Sequence, residues 1–314
     1  MTNKLFLFFS FLLIVAFPDT SCAFSAINKQ EPVEIGGIKQ WIGIKGINDH
    51  NPVLLFLHGG PGNSSMRYGD RFTSELQKHF VVVQWDQRGS GKTAKLNSSS
   101  QPITVALMVS DAIAMINYLR ARFSKEKIYL MGHSWGGFLG LMVATNHPDL
   151  LEAYFAVSPM VHQVESERFS LELMKNKATK VNNQKALNEL AGISVPFQNG
   201  EQLYYHRKWL AKEMLTSAPL KPFVETWALK WLVLYNEASK MNFFVDAPEI
   251  KCPVYFLIGT RDYQTYFKLT EEYYKMIKAE KKDLFWFSNS AHNLNLTEPI
   301  KLQEIAIAVL RSKN

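Results

Sequence analysis

Disulfide chemistry is scarcely open to this chain: its 314 residues carry two cysteines, Cys22 and Cys252. If the first is lost with a leader segment, no internal bridge is possible and stability must come from the core. The sequence also shows no repeat of fixed period and no long low-complexity segment, which excludes solenoids and arrays. It has no basic run interleaved with aromatics, so the formal net charge of +7 reads as dispersed surface lysine rather than a nucleic-acid groove. No H-E-x-x-H and no histidine–carboxylate set at metal-ligand spacing occurs, and neither metal nor cofactor is expected. What remains is a chain that is 47% hydrophobic and 13% aromatic. That is enough apolar material for one large α/β domain or for a domain with an insertion.

The N-terminus stands apart. Lys4 precedes the apolar run Leu5–Phe17, Pro18 breaks it, and Ser21-Cys22-Ala23 supplies small residues around a cleavage point. This reads as a secretory signal peptide over residues 1–23, and implies a secreted or periplasmic protein. The alternatives are an uncleaved membrane anchor, for which the apolar run is short, and lipoprotein processing at Cys22.

Ile38–Ile47 alternates apolar and polar residues as an early antiparallel strand would. Val53–Leu57, Phe80–Trp85, Ile128–Met131, Tyr154–Val157, Pro253–Ile258 and Leu284–Phe287 are short apolar runs expected of buried strands. Thr104–Phe123 carries a helical stripe. Between about Val161 and Asp246 strand-like runs vanish, and helical segments take over at Glu165–Val181, Gln184–Leu190, Glu201–Leu215 and Phe223–Asn236. The chain therefore divides into a core over residues 30–160 and 247–314 and an inserted helical cap over 161–246. The cap aromatics, Trp209, Trp227, Trp231 and Tyr235 among them, are expected in its own core.

Gly132-His133-Ser134-Trp135-Gly136 fits G-x-S-x-G between a strand and a helix, the setting of a nucleophile elbow. The turn requires a strained backbone at Ser134, and side chains at Gly132 or Gly136 would collide there. His58-Gly59-Gly60-Pro61-Gly62 leaves the end of a buried strand, with His58 placed to brace the loop. Gly91-Lys92-Thr93 invites a phosphate-loop reading, but Asp86 stands where that motif needs its first glycine, and a turn held by Asp86 and Arg88 fits better. Ser134, Asp262 and His292 each follow a strand, in the order of the α/β-hydrolase arrangement. His292 would serve as base and Asp262 as its orienting carboxylate. The backbone N–H groups of Trp135 and Gly60 would form the oxyanion hole. His133, beside the nucleophile, is expected to point away from it.

With these stretches in hand, the chain resembles the proline iminopeptidase branch of the α/β-hydrolase superfamily. The matching motifs are HGGPG at 58–62, DQRGSGKT at 86–93, GHSWGG at 132–137, GTRD at 259–262 and SAH at 290–292. The resemblance implies a mostly parallel central sheet flanked by helices with an inserted helical cap, and a serine aminopeptidase that releases N-terminal residues, often proline, from short peptides. It also implies cap carboxylates that hold the substrate's free α-amine. Glu237 is the best match to one of these, while Tyr263 stands where some members place a second Glu. Related esterases and amidases share the motifs, so a carboxylesterase or amidase acting on a small apolar substrate is the alternative; a non-catalytic binding protein is a third.

Overall fold

The computed structural model describes residues 25–98 and 101–312. The proposed signal peptide, with Cys22, lies outside the described residues. Eight strands form one sheet: β1 (Ile27–Ile35), β2 (Ile38–Gly46), β3 (Val53–Leu57), β4 (Val81–Asp86), β5 (Ile128–His133), β6 (Leu151–Val157), β7 (Val254–Gly259) and β8 (Lys282–Phe287). Their order is β1-β2-β4-β3-β5-β6-β7-β8. β2 runs antiparallel to both its neighbours, and every other pairing is parallel. The β1–β2 hairpin turns through Gly36 and Gly37, at φ 56° and 73°, a left-handed pair that suits the twist of the flanking strands.

The central strands are apolar on both faces because helices cover both. Leu55, Leu57, Val83 and Trp85 join one buried cluster, while Leu54, Phe56 and Val82 join another. The covering helices in the core are α1 (Val105–Arg122), α2 (Trp135–Asn146), α7 (Phe267–Met276) and α8 (Pro299–Arg311). Thr104 starts α1 with a side-chain bond to Leu107 N at 3.2 Å, satisfying one of the donors left over at a helix start. Between β6 and β7 the chain makes four longer helices, α3 (Gln163–Lys180), α4 (Gln184–Ala191), α5 (Gly200–Glu213) and α6 (Lys221–Ser239), and then one short turn of helix at Phe243–Asp246.

The chain passes from β3 to β4 on one side and then crosses to β5 on the other, both parallel to β3. Loops leaving the carboxyl ends of β3 and β5 therefore diverge and leave a crevice, where sites in open α/β sheets form. Asp111 of α1 is fully buried. It accepts from Arg88 Nε and Nη2 at 2.6 and 2.9 Å and from Gln40 Nε2 at 2.8 Å. Asp86 meanwhile accepts from Lys92 N at 2.7 Å and from the Ser64 hydroxyl. The Gly91-Lys92-Thr93 stretch opens a short helix, Gly91–Leu96, whose start is held by Asp86 as expected, while Arg88 turns instead to Asp111 and Gly36 O.

Candidate active site

Ser134 sits between β5 and α2 at φ 58° and ψ −114°, a backbone state that non-glycine residues rarely adopt and that persists only where the surroundings enforce it. Here they do: Ser134 N donates to Val157 O and Phe138 N to Ser134 O, at 3.0 and 2.9 Å. A Cβ on Gly132 would come within 2.1 Å of Gly136 O, and one on Gly136 within 2.0 Å of Leu57 O. The tight packing expected around the turn is present.

The structure brings Ser134, His292 and Asp262 together. His292 Nε2 lies 2.9 Å from Ser134 Oγ, and its Nδ1 lies 2.9 Å from Asp262 Oδ2. The three are 6% exposed or less. Burial pushes the Asp262 carboxyl up, but the neighbouring His292 and the bonds from Thr265 outweigh it and hold the group at about 2. Thr265 carries no signal of its own in the sequence. Its N–H reaches Asp262 Oδ1 at 3.0 Å and its hydroxyl reaches Oδ2 at 2.8 Å; Gln264 N donates to the same Oδ1 at 3.0 Å. Only its place three residues after Asp262, in a turn, could point to it. The loop bearing His292 is held in turn by Ser290 Oγ and Asn289 N on Glu298 Oε2, at 2.6 and 3.1 Å.

The glycine loop after β3 packs against the serine: a Cβ on Gly59 would lie 3.3 Å from Ser134 Cβ. Gly59 O accepts from His58 Nδ1–H at 2.9 Å and from Asn63 N at 3.1 Å. In a planar trans peptide the C=O and N–H point opposite ways, so fixing Gly59 O aims the Gly60 N–H. His58 Nε2 accepts from Gln87 N at 3.3 Å, and burial lowers its pKa, which keeps the ring neutral. Gln87 also accepts from Trp135 Nε1 at 3.0 Å. The Trp135 N–H begins α2, where no intrahelical acceptor exists.

His133 does not turn away from the site. Its ring centroid lies 5.0 Å from that of His292, and its Nε2–H donates to His292 O at 2.9 Å. Alternation along β5 would separate His133 from Ser134, but the left-handed turn at Ser134 ends the alternation and leaves both on one rim. Glu237 is also a correction. It is exposed, its Oε1 accepts from Val105 N at 3.2 Å at the start of α1, and it borders a surface groove separate from the cavity over Ser134. The face of α6 that carries it points to α1, while Phe223, Trp227 and Tyr235 face the cavity.

That cavity holds about 500 Å³ and has Ser134, His292 and Gly60 among its lining, with Leu203, Met214 and Val224 on an apolar wall. Among the described residues no Asp or Glu lines it. Arg207 and Tyr235 do, but Arg207 is spent on Glu167: Nη1 reaches Oε2 at 2.8 Å and Nη2 reaches Oε1 at 2.5 Å. Tyr235 OH and Gln163 Nε2 donate to Oε1 as well, at 2.5 and 2.8 Å. Burial raises the Glu167 carboxyl, yet Arg207 and His206 hold it at about 2. The cluster is a neutralised pair with its acceptors filled. Of the expected cap-core aromatics, Trp209, Trp231 and Tyr235 are buried at 8%, 5% and 5% exposure, Tyr235 also reaching the cavity; Trp227 instead forms cavity wall.

A strained serine at the rim of a mostly parallel sheet, within hydrogen-bond reach of a histidine backed by a carboxylate, places the molecule among α/β hydrolases. The chain belongs to the serine aminopeptidase S33 family, whose profile matches residues 48–299. It is 32% identical over 290 residues to the probable aminopeptidase YbaC of Bacillus subtilis (strain 168), covering 85% of this chain and 91% of that one. The proline iminopeptidase of Mycobacterium smegmatis superposes with a TM-score of 0.63 at 16% identity, over 90% of this chain and 98% of that one. An esterase from Exiguobacterium antarcticum gives 0.62 at 16% identity, over 90% and 100%. Structural likeness at such identities speaks for the fold alone.

Proposed function

We propose that this chain is a serine hydrolase that cleaves amide or ester bonds through an acyl-enzyme on Ser134, and that its substrates are the N-terminal residues of short peptides. The hydrogen-bonded line Ser134–His292–Asp262 at the floor of a cavity carries the reading. His292 Nε2 takes the serine proton as Oγ attacks the carbonyl carbon, and Asp262, ionised across the neutral range, steadies the imidazolium. The N–H groups of Trp135 and Gly60 receive the oxyanion; one such donor is worth about 3 kcal/mol in the transition state. His292 then protonates the leaving amine or alcohol, and water repeats the sequence on the acyl-enzyme. The S33 family and the Bacillus relative support the peptide substrate.

One observation favours a second reading. A substrate ammonium buried without a negative partner is costly, no carboxylate lines the cavity among the described residues, and Glu167 has no acceptor to spare. A neutral acyl ester or amide fits the apolar wall without that penalty. Turnover of proline p-nitroanilide, its N-acetylated form and p-nitrophenyl butyrate separates the two. Preference for the free amine supports the aminopeptidase; preference for the blocked or amine-free substrate sinks it and leaves the esterase or amidase. Export through residues 1–23 is part of the same proposal, checked by N-terminal sequencing of the mature protein.

A further inference from the structure

Helix α6 does more than wall the cavity. Trp227 Nε1–H donates to Pro61 O at 2.8 Å, directly after Gly60. One helical turn later, the Trp231 ring lies so close to Gly62, at φ 89°, that a Cβ there would fall within 2.4 Å of it. The same ring packs by the Gly89 loop, 2.9 Å from a Cβ built at Gly89, and Lys230 Nζ donates to Gly89 O at 2.7 Å.

The glycine loop thus has three holds: Gly59 O on His58 and Asn63, Pro61 O on Trp227, and Gly62 on Trp231. The first depends on the others, because Asn63 N, which fixes Gly59 O, lies beyond Pro61 and Gly62 in the same tight turn. Release of Pro61 O lets residues 61–63 shift, and the peptide plane that aims the Gly60 N–H shifts with them. Gly60 itself, with φ 120° and no Cβ, cannot hold its own direction.

We propose that Trp227 is a positioning residue for the oxyanion donor, tying the helical segment over the cavity to the loop that carries the Gly60 N–H. It acts through its indole N–H on the loop and, separately, through its ring on the substrate cavity. The proposal rests on Ser134 as nucleophile and Gly60 as donor, and the two roles separate by substitution. Trp227→Phe keeps an aromatic wall and loses the donor. Trp227→His loses the benzo ring but keeps a donor, since its Nε2 occupies the same ring position as the indole nitrogen.

The test measures kcat and KM for p-nitrophenyl butyrate, with kcat counted per site labelled by a fluorophosphonate, together with inhibition by phenylboronic acid, whose tetrahedral adduct presents an oxygen to the donors. W227F should lose about ten-fold in kcat, a fraction of the 10²–10³-fold lost when a donor is removed outright. Its KM should stay within about two-fold, and its boronic-acid Ki should rise in step with the fall in kcat. W227H should keep kcat within about two-fold and raise KM. A W227F enzyme with unchanged kcat and raised KM makes Trp227 wall alone and overturns the inference, as does equal loss of kcat in both variants. If W227F does not fold, W227M, which also lacks the donor, takes its place: an about ten-fold loss of kcat relative to W227H is expected, and equal kcat in the two overturns the inference. Failure of the wild type to label at Ser134 removes the underlying reading instead.

Discussion

Acid should unfold this protein from well above the carboxylate range, through two histidines buried in neutral form. His206 is fully buried between α3 and α5. Its Nδ1 accepts from Arg207 Nη1 at 2.8 Å, and its Nε2 faces Glu167 O and Ser170 Oγ at 3.3 and 3.1 Å. A proton on Nδ1 would set N–H against a guanidinium. Burial, with Arg207 adding to it against the opposing pull of Glu167, lowers His206 to about 4. His133 falls to about 4 as well, through burial and the nearby His292. Both take up protons near 6.5 once unfolded. The unfolded chain therefore binds more protons between about pH 6.5 and 4, and stability present above that window drains away as pH falls through it. A ten-fold difference in proton affinity is worth about 1.4 kcal/mol, so by pH 5 each histidine forfeits roughly 2 kcal/mol, and the pair roughly 4. That is a large part of a typical 5–15 kcal/mol. Asp262 and Glu167, held at about 2, release their share only below about pH 4. Urea unfolding followed by tryptophan fluorescence at pH 7, 6 and 5 measures the slope. His206→Asn, which keeps a polar side chain but cannot titrate, should start less stable and lose roughly 2 kcal/mol less between pH 7 and 5. An identical slope in wild type and variant would refute the reasoning.

Asp262→Asn should lower kcat by about 10⁴ while leaving the fold intact, because the imidazole tautomer is no longer held; circular dichroism and steady-state kinetics check it. Thr265→Val removes the hydroxyl on Asp262 Oδ2 and should reduce kcat several-fold with an unchanged KM. Gly62→Ala collides with Trp231 and needs a positive φ, so a destabilisation of about 1–3 kcal/mol is expected in thermal melts. Glu237→Ala should cost about 1 kcal/mol through the start of α1 and leave the ratio of free-amine to blocked-substrate turnover unchanged; a shifted ratio would return Glu237 to the site.

The sequence discloses those parts whose chemistry is local. Val53–Leu57 and Ile128–Met131 read as strands because both faces are buried. Ser134, Asp262 and His292 are legible because each follows such a run. β1 escapes notice: as an edge strand it carries Lys29, Glu31, Pro32 and Glu34, which protect an open edge and erase the apolar pattern. Glu237 is misplaced because its order in the chain says nothing about which side of α6 it occupies, and that side is set by contact with α1. The Glu167–Arg207 pair spans 40 residues and two helices, so it exists only once they pack.

The helices from α3 to α6 leave the sheet after β6 and return to it at β7, and those strands are hydrogen-bonded neighbours, with Tyr154 opposite Val254. The excursion thus leaves at the carboxyl end of β6 and re-enters at the amino end of the parallel strand beside it, so both attachment points belong to one rigid platform, and lengthening or exchanging it would not disturb the strand order. Loop-closure entropy rises only slowly with length, so such a graft meets little resistance from the platform itself. Ser134, Asp262 and His292 all lie outside the exchanged stretch, so a chimera would keep its reactive hydroxyl and acquire a different appetite. The exception is α6: any replacement has to bring its own clasp for the glycine loop.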